Sequence, residues 1–142
     1  MSDFLRVINI QIVTLATRDG VPAQEANPLL RFELESGDDF MMSGIPTDIA
    51  TSISVELNDY DTKDSRLQIA DLVGELAIVE KVEIDLLVPQ TTVYQSTVYL
   101  MPEGFERTIS FTMVPSHATL LAILNDAPIF VSRQLVEQAN RQ

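Results

Sequence analysis

The sequence predicts an α+β domain, a mixed and mostly antiparallel sheet with about four helices. Three observations support this class. Apolar residues alternate with polar ones over several stretches, of which Leu5 to Leu15 is the longest. A stripe of apolar residues at helical spacing follows Pro46, and a nearly all-apolar helix follows Pro115. The 142 residues are enough for one sizeable core and too few for two ordinary domains. We therefore expect a single domain over residues 1–142.

The first third of the chain predicts three strands in a meander. Apolar, mostly β-branched residues alternate from Phe4 to Thr17, which is typical of a long half-buried strand. Leu30, Phe32 and Leu34 alternate with charged residues. A turn then leads into a short strand over Phe40 to Met42.

Two helices are expected in the middle of the chain. Pro46 suits a first helical turn, because its missing N–H would have no partner within the helix, and Asp48 suits the helix dipole. This helix carries an apolar stripe formed by Ile49, Ile53 and Leu57. Ser65 would cap the second helix, in which Gly74 is a tolerated weak point. One face of this helix carries the apolar residues Leu67, Ala70, Val73, Leu76 and Ala77.

Strands return after the second helix. Alternating apolar residues predict one strand with Val82, Ile84, Leu86 and Val88, and another with Val93, Val98 and Leu100. A turn at Pro102 to Gly104 precedes a further strand over Arg107 to Met113.

The C-terminal part begins with a helix from Pro115 to about Asn125. Its residues from Ala118 to Leu124 are apolar nearly all round, which predicts burial between the sheet and a partner. A short buried strand over Pro128 to Val131 follows. Ser132 is expected to cap a last helix, whose inward face carries Leu135, Val136 and Ala139.

Two segments of the chain echo each other. Phe40 to Leu57 and Ile109 to Asp126 both run from a strand into a helix that opens with Pro and a small hydroxyl residue, at a constant offset. The echo predicts two related strand–Pro–helix units, although such residues open helices in any fold.

Charge and composition exclude several classes of function. Nine Lys and Arg against 21 Asp and Glu give a net charge of −12, which disfavours a broad basic surface for nucleic acid or an anionic membrane. Cysteine is absent and the five glycines are well separated, so thiolate sites and Gly-rich loops for a nucleotide cofactor are excluded. No signal peptide or membrane span is recognisable, and we expect a cytoplasmic location.

Few residues suggest chemistry. His117 is the single histidine and has two open interpretations, a helix-start side chain with a local role or a general base. Ser116 adjoins it, but neighbours on a helix do not face each other, which argues against a Ser–His pair. The acidic loop Asp59 to Asp64 lacks the glycine and glutamate of an EF-hand and is interpreted as solvated. Glu83 and Asp85 share a strand face that could hold Mg²⁺, although an outward-facing strand explains them as well.

The order of features near the C-terminus resembles that of a known family. Val114 to Ala139 runs through Pro-Ser-His-Ala, an apolar helix, a Pro-Ile-Phe-Val-Ser strand and a final helix. This resembles the bifunctional nuclease (DNase–RNase) domain family, in which Arg-Pro-Ser-Asp-Ala opens such a helix and Pro-Ile-Tyr-Val-Ser follows. The resemblance extends back through Leu67 to Leu86 and Asp39 to Leu57, and so covers most of the chain in the right order.

The resemblance implies a nuclease that cleaves RNA or DNA. It places the catalytic set at Asp48, Ser116 and His117, with Mg²⁺ or Mn²⁺ at Asp48, and implies a dimer. Thr112 to His117 stands where the family has Asp-Ala-Arg-Pro-Ser-Asp, so two acids and an arginine are replaced. Two functions stay open, a nuclease with a rebuilt site or a self-associating structural or regulatory binding domain without the chemistry.

Overall fold

A computed structural model describes residues 3–14, 28–57, 69–91 and 93–141 of the chain. The strands of this part are β1 (Phe4–Thr14), β2 (Pro28–Leu34), β3 (Asp39–Met42), β4 (Ala77–Leu87), β5 (Tyr94–Pro102), β6 (Ile109–Met113) and β7 (Ile129–Ser132). Its helices are α1 (Thr47–Leu57), α2 (Ile69–Leu76), α3 (Pro115–Leu124) and α4 (Arg133–Asn140). The predicted acidic loop Asp59 to Asp64, the Ser65 cap and the end of the first strand at Leu15 to Thr17 lie outside the described residues.

The seven strands form one mixed sheet in the order β3-β2-β1-β7-β4-β5-β6. All neighbours are antiparallel except β4 and β7, which are parallel. The α+β class with a mixed sheet and about four helices is therefore confirmed, as is the meander of the first three strands. None of the described helices is long and apolar enough to span a membrane.

One hydrophobic core lies between the sheet and its helices. Alternation along β2 turns Leu30, Phe32 and Leu34 to the core, where they are buried. Helix α3 lies in the middle of this layer, in contact with α1, α2, β4 and β5. The burial predicted for its apolar residues is confirmed, because Ala118 to Ala122 are all inaccessible or nearly so.

Both strand–Pro–helix units exist, and they begin at opposite edges of the sheet. Strand β3 leads through Pro46 into α1, and β6 leads into α3, which begins at Pro115 itself. The two helices pack against each other. The sheet is curled as well, since Phe40 of β3 and Tyr94 of β5 meet edge to face with ring centroids 5.1 Å apart. The two ends of the sheet therefore approach each other next to the start of α3.

Several predicted side-chain directions are wrong, each for a local reason. A β-bulge between Ile84 and Leu86 reverses the alternation, so Leu86 is exposed and Leu87 packs against the core instead. Helix α2 ends at Leu76, which is exposed, and Ala77 already belongs to β4.

Three further expectations fail at the ends of elements. Leu57 is exposed at the last residue of α1, and Val93 is exposed just before β5 begins. Ser132 occupies the N-cap position of α4 but makes no capping hydrogen bond with its side chain.

Candidate functional site

The N-terminal end of α3 borders a cavity of about 180 Å³, which we call the α3 cavity. Three segments line it, namely Met42 to Ile45 between β3 and α1, Val93 and Tyr94 at the start of β5, and Val114 to Ser116 at the start of α3. None of the lining side chains is charged, and most are apolar. The cavity therefore lies where the two strand–Pro–helix units meet and offers mainly dispersion contacts.

The start of α3 also offers hydrogen-bond donors. Val114 precedes the helix in an extended conformation with φ −62° and ψ 132°, and no side chain caps the helix. The N–H of Ala118 donates to the Val114 carbonyl at 2.9 Å and closes the first turn. Pro115 has no N–H, so helix geometry leaves the N–H groups of Ser116 and His117 without an acceptor within the helix. This end of α3 consequently favours a hydrogen-bond acceptor or an anion.

Ser116 supplies the second polar feature of the α3 cavity. Its side chain is 2% exposed, and its Oγ has no hydrogen-bond partner among the described residues. One turn later, the equally buried Thr119 donates its hydroxyl to the Pro115 carbonyl at 2.7 Å. An unpaired buried hydroxyl costs about 1–3 kcal/mol, and native proteins rarely keep one without a use. Ser116 is therefore the strongest candidate for contact with a ligand.

The opposite walls of the α3 cavity are held by backbone geometry and ring packing. Gly44 has a φ of +74°, a conformation that residues with a Cβ rarely adopt, and it turns the chain between β3 and α1. Ser96 donates its hydroxyl to the Met113 carbonyl at 2.6 Å, which fixes the end of β6 against β5. Together with the Phe40–Tyr94 contact, these interactions shape the cavity in advance of any ligand.

Of the three predicted catalytic residues, the structure places only Ser116 at the cavity. His117 is exposed in the first turn of α3, and Asp48 is exposed in the first turn of α1. Neither of them lines the α3 cavity. No spacing of residues predicts that Val93 and Tyr94 line the cavity, because they reach it only through the curl of the sheet.

Among the described residues, the Mg²⁺ or Mn²⁺ position predicted at Asp48 has no metal-binding donor set. The described residues contain no group of three or more His, Asp or Glu side chains arranged to hold a metal ion. Asp48 by itself offers one carboxylate, which does not make a resident site for a hard cation that prefers six oxygen ligands. We derive no catalytic step through a metal.

The paired carboxylates on β4 have partners of their own. Glu83 lies 3.4 Å from Lys81 Nζ, and Asp85 accepts the Thr97 hydroxyl at 2.6 Å. Lys81 Nζ also lies 4.7 Å from the centre of the Tyr99 ring. The hydrogen bond from the Tyr99 hydroxyl to Glu83, followed by burial and the charges of Glu83 and Asp85, raises the pKa of Tyr99. Glu83 is only 8% exposed, so these contacts surround a largely covered carboxylate rather than an open strand surface.

No family model matches the chain, and no curated protein matches it significantly. The resemblance to the bifunctional nucleases stays a prediction.

We predict that Glu83→Gln lowers the pKa of Tyr99 toward its ordinary value of 10.0, because the charged acceptor is removed. In the wild type, the stability contributed by neutral Tyr99 is fully present below pH 10.0 and is lost as the pH rises through the folded-state pKa. Tyrosinate absorbance against pH measures the shift, and Tyr99→Phe assigns it. Asp85→Asn is the control and should move the pKa less. An identical titration of wild type and Glu83→Gln would contradict the assignment.

Proposed function

We propose that the chain is a binding domain without hydrolytic chemistry, and that it takes a small, largely apolar molecule with one hydrogen-bonding group into the α3 cavity. The observation that carries this proposal concerns Ser116, a residue of the cavity lining whose buried Oγ has no hydrogen-bond partner among the described residues. A ligand acceptor there would satisfy this hydroxyl and could reach the free N–H groups at the start of α3. The apolar remainder of the ligand would pack against Met42, Ile45 and Val114.

The uncharged lining supports binding over hydrolysis. Phosphodiester cleavage develops negative charge in its transition state, which enzymes stabilise with cations, metal ions or several aligned donors. The described residues of the cavity lining include no Lys, Arg or acidic side chain. This composition suits a ligand that is neutral or carries a single anionic group.

The test of the binding proposal is Ser116→Ala. Ligand-observed NMR with butanol, butyramide and butyrate as probes should show binding to the wild type. In Ser116→Ala the affinity should fall about three- to tenfold, because one hydrogen bond is lost. Ser110→Ala, which removes an exposed serine hydroxyl of β6 outside the cavity, is the matched control and should bind like the wild type.

Thermal unfolding without ligand separates a binding role from a structural one. Ser116→Ala should unfold at the same or a higher temperature than the wild type, because it removes an unpaired buried group. Thr119→Val should unfold at a lower temperature, because its hydroxyl has a partner in Pro115. Destabilisation by Ser116→Ala, or equal binding of every probe to Ser116→Ala and wild type, would remove the basis of the proposal.

A second candidate function is the nuclease that the family resemblance implies. The observation that favours it is the position of His117, which is exposed in the first turn of α3 where free N–H groups attract phosphate oxygens. There His117 would act as a general base next to the bound phosphate.

The nuclease is tested with fluorescent single-stranded RNA and DNA in the presence of Mg²⁺ or Mn²⁺. If His117 and Asp48 carry the reaction, His117→Ala and Asp48→Asn should each slow cleavage about a hundredfold or more. The cleavage rate of a contaminating nuclease would not change with either substitution. Cleavage that is equal in all three proteins, or absent from the wild type, rejects this function.

We also propose that the domain self-associates by pairing two copies along β6. Strand β6 ends the sheet, and its residues Ile109–Met113 carry no charge, while Phe111 is 51% exposed. Natural edge strands usually carry charges or proline that discourage pairing. The other edge strand follows that rule, since Asp39 of β3 forms an ion pair with Arg31 at 2.6 Å. The chain has a net charge of −12, so two copies repel each other through their acidic surfaces. An uncharged edge strand lets them approach and pair with less repulsion.

Light scattering at micromolar concentration should therefore give the mass of a dimer, and Phe111→Lys should give that of a monomer. Met41→Lys introduces the same charge at an exposed position of the opposite edge and should leave the dimer intact. A monomeric wild type, or dissociation by Met41→Lys alone, contradicts pairing along β6.

A further inference from the structure

A second exposed surface lies at the far end of the β4–β5 hairpin, and we call it the acidic groove. It has a volume of about 410 Å³, and it is lined on one side by Glu75 and Ile78 and on the other by Met101, Glu103 and Phe105. Ile78 is 60% exposed and Phe105 is 66% exposed. Single exposed apolar residues are ordinary on protein surfaces, but a contiguous group around a concave surface marks an interaction site.

The groove is built from fixed parts of the fold. Ile78 and Met101 are direct cross-strand partners in β4 and β5, so their side chains lie on the same face of the sheet. The N–H of Glu103 donates to the Leu76 carbonyl at 2.9 Å and ties the β5–β6 turn to the end of α2. Because both walls are held in this way, a partner would meet a surface that needs little ordering, which lowers the cost of binding.

The charge of the groove restricts its partner. Each wall contributes one glutamate, and the described residues of the lining include no Lys, Arg or His. A second copy of this chain would bring two more glutamates and a net charge of −12 against the same surface. A segment with basic side chains would instead be steered toward the groove and complement it.

We propose that the acidic groove binds a segment of another protein that presents an apolar anchor flanked by Lys or Arg. The anchor packs against Ile78, Met101 and Phe105, and the flanking cations face Glu75 and Glu103. Strands β4 and β5 already pair with each other along this stretch, so recognition uses side chains rather than the addition of a strand. This surface does not depend on the α3 cavity, since the two share no lining residue.

The test uses three fluorescein-labelled synthetic peptides of equal length. One has a leucine core flanked by lysines, one replaces the lysines with glutamates, and one replaces the leucines with serines. Fluorescence anisotropy should show binding of the first peptide alone to the wild type. Phe105→Ser should weaken the binding of this peptide about tenfold, because an aromatic contact for the apolar anchor is lost. Glu75→Lys combined with Glu103→Lys should also weaken its binding about tenfold, because the new charges repel the flanking lysines.

Controls separate the groove from general attraction of a basic peptide to an acidic protein. Ile8→Ser removes an exposed large apolar side chain of β1 outside the groove, and Glu137→Lys with Glu33→Lys makes the same change in net charge elsewhere. Both controls should bind within about twofold of the wild type. Equal weakening by the controls, or equal binding of the serine-core peptide, overturns the proposal. A change of oligomeric mass in Glu75→Lys with Glu103→Lys would identify a second copy as the occupant and would also overturn it.

Discussion

The pairing of β7 holds the two halves of the sheet together. This strand has four residues, yet it is antiparallel to β1, with Leu5 opposite Val131, and parallel to β4, with Val82 opposite Ile129. Backbone bonds extend the junction at both ends, since Val82 N–H donates to the Pro128 carbonyl at 3.0 Å and Arg133 N–H to the Asp3 carbonyl at 2.8 Å. Without β7 the β1–β3 meander and the β4–β6 strands would share no hydrogen-bonded edge. Its inward side chains, Ile129 and Val131, are correspondingly buried.

The position of β7 also determines the position of α3. Only a short turn separates them, in which Asp126 has a φ of +52° and Ala127 N–H donates to the Ala122 carbonyl at 2.8 Å. A helix joined so closely to a central strand must lie over the middle of the sheet. Its N-terminal end therefore points to the place where the curled sheet brings β3 and β5 together. The α3 cavity follows from the topology rather than from any local motif.

The sequence predicts the elements well where one face of an element is buried and regular. Strand β2 is an example, because its alternation is uninterrupted and Leu30, Phe32 and Leu34 are all buried. Prediction fails where the register changes, since the bulge before Leu86 is a property of the β4–β5 pairing and has no signature in β4 alone. It fails again at Leu76, because a helix that passes directly into a strand leaves no loop residues to mark its end.

The candidate site could be predicted only in part, for a related reason. The Pro-Ser sequence at the start of α3 identifies Ser116 as a residue of interest, but its place in one cavity lining with Tyr94 depends on the curl of the sheet. That curl brings β3 and β5, which do not pair with each other, into contact through Phe40 and Tyr94, and no spacing of residues along the chain encodes it. The exposure of His117 and the burial of Ser116 likewise follow from which side of α3 meets the core.

The distribution of charge connects these surfaces. Residues 108–124 form β6 and α3 and contain no Asp, Glu, Lys or Arg, in a chain whose net charge is −12. An uncharged segment lets another molecule approach a chain that otherwise repels anions and its own copies. Residues 108–124 supply one wall of the α3 cavity and an edge strand of the sheet. The acidic groove differs in charge, because two glutamates line it. The fold thus separates a neutral surface from an acidic one, and the ligand and the partner that we propose for these surfaces differ in charge in the same way.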